Sequence, residues 1–163
     1  MNNKVNNKLI IITLVLLIIF LCGCNKNETN SELTVNNNDV VKEKEDMNLK
    51  LLINETQISV LWEDNDSVKA LYEYANNNTL TIDMRMYGGF EQVGSLGINL
   101  PTDDKNITTK AGDIVLYNGN QIVVFYGSNT WSYTKLGQVE NASVDYMKQL
   151  LDNGDVTVSL KVD

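Results

Sequence analysis

Apolar and polar side chains alternate with period two along much of the C-terminal two thirds of the chain, the mark of strands buried on one face. Leu80, Ile82, Met84 and Met86 alternate with Thr79, Thr81, Asp83 and Arg85, and Val156, Val158, Leu160 and Val162 with Thr157, Ser159 and Lys161. Residues 113–117 and 121–126 flank Asn118-Gly119, the dipeptide that best tolerates the positive φ angles of a tight turn, so they predict a β-hairpin. Segments 49–53, 57–62 and 131–136 bring the set to at least seven strands.

Two segments switch to helical spacing. Val68, Leu71, Tyr72 and Ala75 follow i, i+3, i+4, i+7 behind Asp66 or Ser67 as the cap. Val144, Met147 and Leu151 do the same behind Ser143, with Asp145 favouring the helix dipole and Asn153-Gly154 as the stop. Many strands with two isolated helices predict a mainly-β protein, a barrel whose ends the helices cover.

The first 24 residues follow a different pattern. Lys4 and Lys8 precede an almost unbroken apolar run from Leu9 to Cys22, which ends in Leu21-Cys22-Gly23-Cys24. Those 14 residues fall short of the roughly 20 needed to span a bilayer and suit the apolar region of a signal peptide. The closing tetrapeptide resembles the lipobox of bacterial lipoproteins. The resemblance implies cleavage after Gly23, diacylation of Cys24, and a protein held by lipid on the extracytoplasmic face of the cell membrane. Two acyl chains satisfy the requirement for a second anchoring element. From Asn25 to about Asp46 the chain is Asn, Glu, Lys, Ser and Thr with few large apolar residues, a mixture that reads as a disordered tether. Residues 1–23 are thus expected as signal peptide, 24–46 as lipidated tether, and 47–163 as one domain.

Charge and residue inventory narrow the chemistry. Two of the 13 Lys+Arg precede the cleavage point and all 21 Asp+Glu follow it, so the mature chain carries 11 against 21, a formal −10. Nucleic acid is not an expected partner, since phosphate binding rests on clustered Lys and Arg. The chain has no histidine, and its two cysteines both sit at the processing site. Serine–histidine and cysteine–histidine nucleophilic schemes and the usual zinc sites are therefore excluded. Asp103, Asp104 and Asp113 lack the spacing of a 12-residue calcium loop and suit turns instead. No metal and no cofactor is expected.

The order of motifs supports a further resemblance. A strand is followed by Tyr87-Gly88-Gly89-Phe90-Glu91-Gln92-Val93-Gly94 and Leu100-Pro101, then by Ala111-Gly112-Asp113-Ile114-Val115-Leu116-Tyr117. After these come Val123-Val124-Phe125-Tyr126-Gly127-Ser128 and Tyr133-Thr134-Lys135-Leu136-Gly137. This looks like the bacterial cyclophilin-like domain family, over essentially all of residues 47–163. The resemblance implies a closed eight-stranded barrel with two short helices, the eighth strand lying near residues 91–96.

Fold and activity must be separated, because one barrel hosts different functions. In cyclophilins an arginine on the outer barrel face hydrogen-bonds the proline nitrogen beside an apolar pocket, chemistry that needs no nucleophile or metal. Arg85, the only arginine, lies opposite the apolar Met84/Met86 face, and Phe90 and Gln92 follow. By that resemblance these three form the candidate catalytic set, although their spacing differs from that of cyclophilins. An outward arginine beside Asp83 is also the usual pattern of a solvated surface pair. The glycine pair allows the loop bearing Tyr87, Phe90 and Glu91 to line a groove, or to form a bulge at a barrel corner with Phe90 in the core. With Tyr126, Trp131 and Tyr133 it forms a candidate aromatic surface for a peptide or small ligand. Three readings follow: a lipid-anchored binding module without catalysis, a peptidyl-prolyl isomerase acting on exported chains, and an accessory lipoprotein that only contacts another envelope protein.

Overall fold

The computed structural model describes residues 48–162. The expected signal peptide, Cys24 and the whole of the tether lie outside the described residues.

Ten strands and two helices follow in order: β1 (Leu49–Ile53), β2 (Thr56–Ile58), β3 (Val60–Trp62), α1 (Asp66–Asn77), β4 (Leu80–Tyr87), β5 (Glu91–Ser95), β6 (Lys105–Thr108), β7 (Asp113–Tyr117), β8 (Gln121–Phe125), β9 (Thr130–Val139), α2 (Val144–Leu151) and β10 (Val156–Val162). Hydrogen bonding runs β2-β1-β10-β4-β5-β8-β7-β9-β3, and all of the pairings are antiparallel. The two ends of that path, β2 and β3, are separated in the chain by Ser59 alone. They are therefore two halves of one stave that pairs with β1 before Ser59 and with β9 after it. The sheet closes into an eight-staved barrel, which leaves no long open edge.

The segment expected as one strand over 57–62 breaks at Ser59 because its two halves serve different neighbours. The Ser59 carbonyl accepts from Glu140 N at 2.9 Å at the changeover. The strand expected near 91–96 is β5. Strand β6 has no counterpart among the strands expected from alternation. Its Lys-Asn-Ile-Thr holds one apolar residue, and only its pairing with the start of β9 makes it a strand.

Alternation fills the interior. Leu51, Ile82, Met84, Leu116, Val124 and Leu160 point inward and are buried, and the helices close the ends with Val68 and Leu71 of α1 and Met147 and Leu151 of α2. The barrel is a packed core and not a pore. Met86, expected on the inner face beside Met84, is instead 39% exposed: pairing with β10 ends at Met84, and Met86 is flanked by β5 alone. Capping of α1 also differs from expectation. Asn65 is the N-cap, accepting from Val68 N at 2.9 Å while its amide donates to Lys135 O at 2.8 Å. The amide side chain accepts through its oxygen and donates through its nitrogen at once, tying the helix start to β9. Ser67 donates to Pro101 O instead. Ser143 caps α2 as expected, its oxygen accepting from Tyr146 N.

Candidate functional site

Strands β7 and β8, Asp-Ile-Val-Leu-Tyr and Gln-Ile-Val-Val-Phe, are apolar on both faces, a pattern that requires both faces to be covered. Ile114, Leu116, Ile122 and Val124 fill the barrel, while Val115, Val123, Phe125 and Tyr133 form a second buried cluster outside it. Half-buried Phe90, Val93, Ile107 and Tyr117 pack around that cluster. A row of rings crosses it. Phe90 stacks on Phe125 with centroids 6.4 Å apart, Phe125 meets Tyr133 edge-on at 5.8 Å, and Tyr133 meets Tyr117 edge-on at 5.9 Å. Such offset and edge contacts hold rings in fixed orientations. Asn129 donates to the Tyr133 hydroxyl at 3.0 Å, which locks that ring further.

Where this cluster meets the turn between β4 and β5 it opens into a groove of about 400 Å³. Tyr117 and Tyr133 wall it, Tyr87 and Trp131 form its rim at 67% and 55% exposure, and Val93 and Val123 lie beneath. Gln121 and Asn129 add side-chain amides. Gly88 and Gly89 take φ of +63° and +74°, which reverses the chain between Tyr87 and Glu91 and leaves those two residues paired. A Cβ on Gly88 would lie 2.3 Å from the Phe90 ring, so the glycine is what lets Phe90 fold back over Phe125.

Glu91 is the one charged residue lining the groove. It is 5% exposed, and its Oε2 has no hydrogen-bond partner. Burial raises its pKa from 4.5 to about 7, since a carboxylate removed from water without a compensating partner favours its neutral form. Burial likewise raises Tyr133, with the Asn129 hydrogen bond opposing and the Glu91 charge adding.

A second cavity of similar size lies by Glu63, Asp103, Lys105 and Lys135. Its charges are already matched: Lys105 pairs with Asp103 at 2.7 Å, and Lys135 with Asp113 at 3.4 Å and Glu63 at 3.8 Å. Asp104 accepts from the Thr134 hydroxyl, and Asp113 accepts from Lys110 N as part of a turn. These acids are engaged in local structure. No group of three or more potential metal ligands gathers among the described residues.

Tyr87, Glu91, Trp131 and Tyr133, expected from the sequence as ligand-binding residues, thus meet in one groove. Tyr126 does not join them. It is fully buried in the barrel core, its hydroxyl has no partner, and burial raises its pKa, with the Asp152 and Glu91 charges adding. The Arg85, Phe90 and Gln92 set is dispersed. Arg85 is exposed on the outer face, opposite Val93 of the groove, and makes no ion pair among the described residues. Phe90 is packing in the outer cluster. Gln92 points inward, fully buried, and donates to Leu151 O at 2.7 Å and Gly154 O at 2.8 Å, closing the C-terminal end of α2. Tyr117, Val93, Val123, Gln121 and Asn129 are groove residues that the sequence alone did not mark. Tyr117 ends a strand buried on both faces, where no alternation tells groove from core.

The barrel resembles that of the hypothetical protein AF2241 from Archaeoglobus fulgidus, with a TM-score of 0.52 at 12% identity, covering 71% of this chain and 93% of that one. The structure of McbB in complex with tryptophan aligns with a TM-score of 0.49 at 8% identity, over 71% of this chain and 44% of that one. No curated protein matches the sequence. The first likeness establishes the fold alone. The sequence itself matches the cyclophilin-like family over residues 51–161, from β1 through β10, a span that takes in every stave of the barrel and the whole groove. The chain belongs to the cyclophilin-like family.

Proposed function

We propose that this protein is a binding module held by lipid at the extracytoplasmic face of the cell membrane, which takes a peptide or small molecule in the aromatic groove without transforming it. The observation that carries this reading is the groove itself: a ligand-sized concavity walled by four rings, two of them exposed at the rim, with a buried carboxyl that has no protein partner. Concave, mostly apolar sites with a few placed polar groups are the usual form of small-ligand pockets. The pattern of the first 24 residues supports the location, since Gly23-Cys24 directly follows an apolar run of signal-peptide length. Chemical-shift mapping of the labelled protein against a peptide and metabolite panel tests the reading. Shifts confined to Tyr87, Tyr117, Trp131 and Tyr133 support it, and shifts confined to another face overturn it. Loss of the protein from the membrane fraction in Cys24→Ala tests the anchor.

One observation favours an isomerase as the second reading: Arg85 is exposed on the same outer face, across from Val93, with no ion pair among the described residues. Exchange spectroscopy on a proline-containing peptide separates the two. Cis and trans signals that interconvert far faster than the uncatalysed tens of seconds, and stop doing so in Arg85→Ala, would establish catalysis. Exchange unchanged by the protein is the outcome expected for a binding module.

A further inference from the structure

We propose that the groove selects a protonated primary or secondary amine carried on a flat or apolar body, with the Glu91 carboxylate as its ion partner and the Tyr87, Tyr117, Trp131 and Tyr133 rings as its walls. The inference rests on the binding reading above and names the chemistry of the ligand.

Charge complementarity carries it. Glu91 is nine-tenths buried and more, its Oε2 accepts no hydrogen bond, and no ion pair reaches it among the described residues. No lysine or arginine lines the groove, so its only formal charge is negative. A buried carboxyl without a partner is unfavourable as an anion, and a ligand that brings both a positive charge and an N–H donor removes that penalty. The walls act in the same sense. Tyrosine and tryptophan rings present electron-rich faces that attract cations, and two of them are exposed at the rim where a ligand enters. At longer range the acidic chain, formally −8 over its full length, draws cations toward it.

Other ligand classes fit less well. A carboxylate or phosphate would face Glu91 with no cation to receive it. A quaternary ammonium would satisfy the rings but could not donate to Oε2. A metal ion would find one carboxylate, since no group of three ligands gathers among the described residues.

Three probes of one shape and different charge test the proposal on the full-length protein in detergent: phenethylamine, 2-phenylethanol and 3-phenylpropanoate. Binding is read from the indole N–H signal of Trp131 at about pH 8, where amines remain protonated. The amine is expected to bind about tenfold more tightly than the alcohol, and the carboxylate most weakly. Glu91→Gln is expected to remove the preference for the amine over the alcohol, whereas Trp131→Ala weakens both by a similar factor and keeps that preference. An alcohol or carboxylate that binds as tightly as the amine overturns the amine assignment while leaving the groove as a binding site. Failure of all three probes to move the Trp131 signal overturns the binding reading together with it. Should Glu91→Gln not fold, the ranking of the three probes on the unmodified protein decides the question.

Discussion

The two faces of β7 and β8 are built from the same residue types but behave differently. Ile114, Leu116, Ile122 and Val124 look into a barrel closed at both ends by helices, where every neighbour is protein. Val115, Val123 and Phe125 look outward and are equally buried, yet their cover is a ring row that thins out into the exposed Tyr87 and Trp131. The inner face is sealed by topology, because closure of the sheet leaves its side chains nowhere else to go. The outer face is sealed only as far as its own aromatic residues reach, and where they stop a groove remains. Buried side-chain oxygens without a hydrogen-bond partner occur on both sides, Tyr126 Oη and Gln92 Oε1 within the barrel and Glu91 Oε2 outside it, but the neighbouring groups differ. Buried Gln92 on the inner side donates to two carbonyls at the end of α2, whereas Glu91 on the outer side is left without a partner. Adjacent residues in one strand thus face a sealed interior and an open groove.

The comparison breaks most visibly if the outer cluster is mere surface. Phe125→Ala and Leu116→Ala are each expected to destabilise by about 3 kcal/mol or more, the range for truncating a buried large apolar side chain. Chemical denaturation of both checks this, and a near-neutral Phe125→Ala would remove the outer face from the list of true cores. Gln92→Ala comes next, at about 2 kcal/mol, because two hydrogen bonds to buried or half-buried carbonyls are lost together. Its denaturation midpoint should fall while groove residues keep their chemical shifts.

Glu91 sharpens the contrast through pH. Because burial raises its native pKa from 4.5 to about 7, the folded protein keeps a proton over a range in which the unfolded chain has lost it. The stability from this group is fully present below about pH 4.5, declines as pH rises through about 7, and is level beyond. Stability measured by denaturation across that window should fall by about 2 kcal/mol from this source. Glu91→Gln should flatten the slope and be the more stable protein at about pH 8 by about 1 kcal/mol. An unchanged slope in Glu91→Gln would place the titration elsewhere. The smallest effect on folding belongs to Trp131→Ala, within about 0.5 kcal/mol for so exposed a side chain. Its loss of ligand, about tenfold or more, should be out of proportion to that change. A large destabilisation would make Trp131 part of the cluster and not its open end.

Strands and helices with a clear period are legible in the sequence alone. Segments 80–86 and 156–162 read as strands because each has a wet face, and Asn118-Gly119 reads as a turn because both residues accept positive φ, observed at 51° and 73°. Four groove residues, Tyr87, Glu91, Trp131 and Tyr133, are legible as candidates from the aromatic residues around a glycine pair. Tyr126 is not separable from them, since β8 carries Ile122, Val123, Val124 and Phe125 in succession and no alternation marks which side Tyr126 takes. Gln92 looks like a partner of Arg85, yet period two sends neighbouring residues to opposite faces, and only the position of α2 gives its amide two acceptors.

The sequence by itself determined the elements with a clear period, the family and the inventory of chemistry: no histidine, one arginine, and aromatic residues near Gly88-Gly89. These follow from local periodicity, turn preference and counting, which need no knowledge of distant contacts. Only the tertiary structure decided that Ser59 divides one stave between two neighbours, that β6 is a strand at all, and that a carboxyl beside two glycines ends up buried without a partner. Each of those depends on which residues far apart in the chain become neighbours, and burial of a single side chain is set by those neighbours and not by its own position in the sequence.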